Sequence, residues 1–75
     1  MITLSQIRTR LIQSIKESGM SQTEIASKLN LTVSAISHIL KGDIMPALDT
    51  LANLCRVLDL DANYILCLEN DGLCK

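Results

Sequence analysis

The sequence predicts an all-α fold, a compact five-helix domain, and three observations support this. Leucine and isoleucine supply 22 of the 75 residues, whereas phenylalanine and tryptophan are absent and there are only one tyrosine and two valines. Strands are enriched in β-branched and aromatic residues together, so this composition favours helices. The apolar residues recur every three or four positions, which is a helical period. Gly19, Gly42 and Pro46 fall between the periodic segments, where helices end.

The first two helices are predicted over about residues 4–18 and 22–29. Gly19 ends the first helix, because glycine adopts a left-handed conformation without strain. The second helix begins at a capping box over residues 21–24, in which a serine hydroxyl and a glutamate carboxylate satisfy backbone N–H groups reciprocally. Asn30 ends it, since asparagine tolerates the left-handed conformation best after glycine. The side chains predicted to face inward are Leu4, Ile7, Leu11, Ile12, Ile15, Ile25, Ala26 and Leu29.

A third helix is predicted over about residues 33–41, between a Thr32 cap and Gly42. One of its faces is apolar and comprises Ala35, Ile36, Ile39 and Leu40. The opposite face comprises Val33, Ser34, Ser37, His38 and Lys41. A polar face is often ordinary solvated surface, but a helix of this kind also fits the major groove of DNA, where its N-terminal residues reach base edges. Spacing alone leaves both interpretations open.

Two further helices complete the domain. The fourth begins at Pro46 or Ala47 and runs to about residue 58, and the fifth is short and capped by Asp61. The predicted domain therefore covers residues 1–68, and residues 69–75 form a C-terminal tail. The inward face of the fourth helix is predicted to comprise Leu48, Leu51, Ala52, Cys55 and Leu58.

Composition and charge restrict the classes of function. No run of residues is apolar enough to span a bilayer, and the start of the chain lacks the pattern of a signal peptide. Three cysteines without a C-x-x-C pair argue against a disulfide framework or a zinc site, which indicates free thiols and a cytoplasmic location. We expect no cofactor, no small-molecule ligand and no enzymatic activity, because so short a chain has few residues to spare for a pocket. His38 in particular has no acidic partner evident in the sequence.

Charge is distributed unevenly along the chain. The net charge is −1 in total, but residues 1–46 carry five cationic and three acidic side chains, whereas residues 47–75 carry two and five. The N-terminal part is thus net positive and the C-terminal part net negative. An anionic partner is therefore expected to meet the first two thirds of the chain.

Residues 20–42, MSQTEIASKLNLTVSAISHILKG, followed by Pro46 and an amphipathic helix, resemble the helix-turn-helix of the Cro/C1-type (XRE-like) transcriptional regulators. The resemblance extends over about residues 4–67. It implies a lambda-repressor-like domain with a central helix-turn-helix. The physical requirements of the motif are met by a small residue at the helix crossing, Ala26, and a left-handed turn residue, Asn30, where the family usually has glycine.

The resemblance implies a sequence-specific DNA-binding regulator, a repressor of phage or bacterial type, that places the third helix in the major groove of double-stranded DNA. It implies base contacts from Val33, Ser34, Ser37 and His38, among which His38 is suited to donate to guanine N7. It implies backbone contacts from Gln22, Thr32, Lys41 and Lys28. Members of the family usually bind as homodimers on inverted repeats. The leucines at 66, 68 and 73, beside Tyr64, either offer an apolar contact for such a dimer or cap the core of the monomer, and for Leu66 we favour the second interpretation.

The chain departs from the family pattern in two ways. Many members pair an arginine in the first helix with a glutamate near the end of the third, and Ile15 and Leu40 stand at those positions here. We interpret the joint replacement as a packing substitution, since a buried ion pair exchanges well for two apolar residues. The loop after Gly42 carries Asp43 and no cation, so non-specific affinity for DNA is expected to be weak. The alternative interpretation is therefore a protein-interaction module or antitoxin with the same fold.

Overall fold

The computed structural model describes residues 1–68, and within them the chain forms five α-helices and no strand. The predicted all-α fold is confirmed. The predicted tail over 69–75, with Leu73 and Cys74, lies outside the described residues. The helices are α1 (Leu4–Glu17), α2 (Gln22–Leu29), α3 (Val33–Lys41), α4 (Leu48–Val57) and α5 (Ala62–Ile65).

Side-chain caps define where most of the helices begin. The predicted capping box of α2 is present, with the Ser21 hydroxyl accepting from the Glu24 N–H at 3.1 Å and the Glu24 carboxylate accepting from the Ser21 N–H at 3.3 Å. Thr3 and Gln6 form a second capping box at α1. The side chains of Thr32 and Asp61 cap α3 and α5. Each cap satisfies a backbone N–H group that has no partner within its helix.

All five helices are followed by a residue in the left-handed conformation, and Gly19, with φ of 77°, takes it after α1 as the sequence predicts. Asn30 has φ of 60° and Gly42 has φ of 85°, as the sequence predicts. Asp59 and Cys67 take the same conformation after α4 and α5, at φ of 57° and 63°. After α2, α3, α4 and α5 the N–H of the next residue donates to a carbonyl five positions back, as in a Schellman motif. The last two turns were not evident in the sequence, because aspartate and cysteine are weaker left-handed signals than glycine or asparagine.

One apolar core holds the five helices together. Its members are all less than 9% exposed and comprise Leu11, Ile15, Ile25, Ala26, Ile36, Ile39, Leu54, Leu58 and Ile65. Helix α2 packs on both α3 and α4, and α5 packs on α1. Because α2 and α3 share the core through Ile25, Ala26 and Ile36, the outer side of α3 is fixed relative to the domain.

Several residues predicted to face the core do not. Leu4 is 64% exposed and Leu48 is 85% exposed, because each is the first residue of its helix and lies beyond the packed turns. Ala52, in the middle of α4, is also exposed. The helical period therefore identified most of the buried face, but it did not show where packing ends at Leu4 and Leu48, and at Ala52 it was wrong. None of the helices within residues 1–68 is long and apolar enough to cross a membrane.

Candidate nucleic-acid interface

Helix α3 has one buried and one exposed side. Ile36 and Ile39 are buried, and Ala35 and Leu40 are partly buried, as predicted. The opposite side exposes Val33, Ser34, His38 and Lys41, whereas Ser37 is only partly exposed and lies at the edge of this face. Val33 is 43% exposed although it is apolar. We refer to Val33, Ser34, Ser37 and His38 as the α3 outer face.

The Thr32 cap gives the beginning of α3 a defined geometry. Its hydroxyl oxygen accepts from the Ala35 N–H at 3.0 Å, so the hydroxyl proton stays available for another acceptor. Gln22 is the first residue of α2 and is exposed, and the first N–H groups of a helix carry partial positive charge. The N-terminus of α2 and the start of α3 are therefore both suited to anionic groups. Lys28 and Lys41 are exposed in the last turns of α2 and α3.

His38 has a carboxylate partner that the sequence did not reveal. Its Nδ1 lies 3.0 Å from Oδ2 of Asp43, with both side chains about half exposed. The turn at Gly42 is the cause, because the Asp43 N–H donates to the His38 carbonyl at 3.1 Å and brings the two residues together. The expectation that His38 lacks an acidic partner is therefore wrong. The signal that could have revealed it is an acidic residue directly after a C-terminal glycine, five positions after a histidine.

The side chains of the α3 outer face and its surroundings carry little net charge. Lys41 adds a cation at its C-terminal end, and Asp43 adds an anion beside His38. Hydroxyl, imidazole and exposed methyl groups together match the donors, acceptors and thymine methyls of the major groove. No group of side chains suited to a metal ion occurs within residues 1–68.

Comparison with known families agrees with this geometry. A helix-turn-helix family model matches residues 11–65, which includes α2, the turn at Asn30 and α3. The chain belongs to the Cro/C1-type helix-turn-helix family. It is therefore a DNA-binding helix-turn-helix domain, and α3 is the second helix of the motif. No curated protein and no solved structure gives a significant match.

Within this helix-turn-helix, the departures from the family pattern have clear structural settings. Ile15 is 2% exposed, and Leu40 packs against the same core, so both aliphatic replacements lie on the buried side. Gly42 faces α1, since a Cβ atom built on it would lie 3.4 Å from Cδ of Arg8. Ile15 and Leu40 thus lie on the interior side of the domain, whereas the other departure, Asp43, lies beside His38 of the α3 outer face.

Proposed function

We propose that this protein is a sequence-specific transcriptional regulator, a repressor, that inserts α3 into the major groove of DNA in the cytoplasm. The observation that carries the proposal is the two-sided α3, anchored by Ile36 and Ile39 and exposed over the outer face, inside a helix-turn-helix family match. The major groove is about 12 Å wide and admits one helix.

The α3 outer face supplies the base contacts in this proposal. Ser34 and Ser37 donate to or accept from base edges, and Val33 packs against a thymine methyl. Val33, Ser34 and His38 are exposed in the first turn and a half after the Thr32 cap, the part of a recognition helix that enters the groove. The partial burial of Ser37 makes it the weakest contact of the four.

Phosphate contacts come from the flanks of the motif. Gln22 donates from its amide and, at the N-terminus of α2, benefits from the helix dipole. Thr32 donates its free hydroxyl proton, and Lys28 and Lys41 contribute charge. These contacts hold the domain in register and carry no sequence information.

A homodimer on an inverted repeat is part of the same proposal, because a single domain of this size contacts few base pairs. An apolar groove of about 350 Å³ lies between α4 and α5, has no lining residue from α3, and suits a second copy of the chain. Its lining comprises Leu48, Leu51, Ala52, Cys55, Ala62, Ile65 and Leu66. Leu48 and Leu68, 85% and 52% exposed, are apolar groups beyond the core that a partner would cover. Tyr64, expected beside this contact, packs on Arg10 of its own domain.

Selection of DNA from a random pool with the purified protein tests the proposal. We expect an inverted repeat whose half-sites lie about one helical turn, 34–36 Å, or a multiple of it apart. A selected site without two-fold symmetry would contradict the homodimer. If no sequence is enriched at low salt, the proposed sequence-specific DNA binding is contradicted.

The second candidate is a protein-interaction module or antitoxin that uses the same fold. The observation that favours it is Asp43, whose carboxylate lies next to His38 on the side proposed to face phosphates. The phosphates of DNA repel this carboxylate, whereas a partner protein with a cationic or neutral group at this place would not. Absence of sequence enrichment in the selection would favour this candidate.

A further inference from the structure

We propose that Asp43 sets which proton His38 carries and thereby decides which bases His38 recognises. In this proposal Asp43 is a positioning residue, and His38 presents Nε2 as a hydrogen-bond acceptor to the exocyclic amino group of adenine or cytosine. The inference rests on the proposed DNA-binding function and names the base class that one residue of the α3 outer face would read.

The side chains of His38 and Asp43 are in direct contact. Nδ1 of His38 lies 3.0 Å from Oδ2 of Asp43, which is a good hydrogen-bond distance. An ionised carboxylate can only accept hydrogen bonds, so the proton between them belongs to Nδ1. A neutral imidazole carries one proton, and with that proton on Nδ1 the opposite nitrogen, Nε2, has a lone pair and no hydrogen.

The backbone makes this pairing a property of the fold. The Asp43 N–H donates to the His38 carbonyl at 3.1 Å, across the left-handed turn at Gly42. This backbone bond holds Asp43 against the last turn of α3, where its carboxylate lies beside the His38 imidazole. Removing the Asp43 carboxylate leaves the backbone bond in place, so the turn and the orientation of α3 should persist in an Asp43→Ala variant.

The tautomer then determines the recognised base. In the major groove guanine offers only acceptors, N7 and O6, whereas adenine offers the N6 amino group and cytosine the N4 amino group. A pairing with guanine N7, as expected from the sequence, requires a proton on Nε2 of His38. With the proton held on Nδ1 by Asp43, Nε2 can accept a hydrogen bond from the amino group of adenine or cytosine. It has no proton to donate to guanine N7 or O6.

The same carboxylate gives Asp43 a function that its charge alone would not predict. A negative group near phosphates lowers affinity for every DNA sequence alike. Fixing the tautomer of His38 changes the preference at one base pair. Removing the charge of Asp43 should therefore change the affinity for all DNA sequences alike. Releasing the tautomer of His38 should change the preference at one base pair only.

The first test reads the tautomer without DNA. His38 is the only histidine in the chain, so uniform nitrogen-15 labelling yields a single set of imidazole signals, and their chemical shifts at pH 8 distinguish the two tautomers. We expect the proton on Nδ1 in the wild type and a shift towards Nε2 in Asp43→Ala. Glu17→Gln is the charge-matched control, because Glu17 lies at the end of α1 and bonds Gln13, and it should leave the imidazole signals unchanged. A wild-type proton on Nε2 would overturn the proposal.

The second test measures which base is preferred at the position that His38 contacts. Random-pool selection with the wild type and with His38→Ala identifies the base pair that depends on His38. We expect adenine or cytosine to be favoured there over guanine by about 5- to 150-fold in the wild type, and the preference to move towards guanine in Asp43→Ala. Selection of guanine by the wild type, or a preference unchanged in Asp43→Ala, would overturn the proposal.

The outcomes separate this inference from the function it rests on. If no base pair depends on His38 while Ser34→Ala still alters the selected site, the proposed function holds and the inference fails. If the wild type enriches no sequence, both fail, even where the nitrogen-15 signals place the proton on Nδ1.

Discussion

The guanidinium of Arg10 lies over the ring of Tyr64, 4.6 Å from its centroid, and its Nη1 donates to the Tyr64 carbonyl at 2.9 Å. The Tyr64 hydroxyl in turn donates to the Gln13 side chain at 3.3 Å. Helix α5 has only four residues and cannot be stable alone, so these contacts, with the burial of Ile65, hold it on α1.

We therefore predict that Arg10→Ala lowers the free energy of unfolding by about 1–3 kcal/mol, because it removes a cation–π contact and a charge-assisted hydrogen bond. Urea denaturation followed by circular dichroism measures the change. The control is Arg56→Ala, an exposed residue in the last turn of α4, which should change stability by less than about 0.5 kcal/mol. Equal effects of the two variants would contradict the assigned role of Arg10.

The fold and the candidate site could be predicted from the sequence to different extents. Local signals were sufficient at Ser21, Asn30 and Gly42, because a cap or a left-handed turn depends on a few adjacent residues. The Arg10–Tyr64 contact joins residues 54 positions apart and has no local signature. Leu48 could not be assigned to the surface from its period, since exposure at a helix end depends on what packs beyond it.

In the candidate site, too, features set by local sequence could be predicted and features set by tertiary contacts or turns could not. The α3 outer face emerged from helical spacing, because Ile36 and Ile39 fix which side is buried. The carboxylate beside His38 did not, since it reaches the imidazole only through the turn after Gly42.

We predict that Ile15 and Leu40, which stand where the family joins an arginine and a glutamate, are neighbours in the core. Ile15→Arg alone should lower the free energy of unfolding by about 3–5 kcal/mol, because it buries an unpaired charge. Adding Leu40→Glu should recover part of this loss, and thermal melts of the single and double variants compare them. A double variant no more stable than Ile15→Arg would show that the two side chains do not meet.

The groove between α4 and α5 gives a prediction for the homodimer. Leu48→Glu should raise the dimer dissociation constant about tenfold or more, as a carboxylate would have to be buried in an apolar contact. Leu48 is 85% exposed, so folding of the monomer should be unaffected. Sedimentation equilibrium measures the association. Leu4→Glu, a change at the exposed first residue of α1, is the matched control and should leave association intact. Dimerisation unchanged in Leu48→Glu would place the interface elsewhere.

Cys55 provides a prediction about pH. Burial raises the pKa of the Cys55 thiol, and the nearby Asp61 carboxylate raises it further. Because the folded-state pKa lies above the unfolded one, the neutral thiol contributes stability at neutral pH that is lost as pH rises through the folded-state value.

Alkylation of Cys55, followed by mass spectrometry of its peptide, should therefore reach its full rate at a higher pH in the folded protein than in urea. Asp61→Asn retains a capping side chain for α5 and should move the folded curve part of the way back. Superimposable curves in buffer and in urea would refute the raised pKa.

In the proposed complex with DNA, the α3 outer face contacts the bases while the flanking side chains hold the phosphates. The most direct measurement compares Ser34→Ala and Lys41→Ala with the wild type, by competition binding on a panel of single base-pair variants of the selected site at several salt concentrations. We expect Ser34→Ala to lose about 1–3 kcal/mol of discrimination at particular base pairs and to retain the salt dependence. We expect Lys41→Ala to weaken binding to all sequences alike and to reduce the salt slope by about one. If Ser34→Ala leaves every base preference intact, or if both variants weaken all sites equally, α3 does not read DNA through this face.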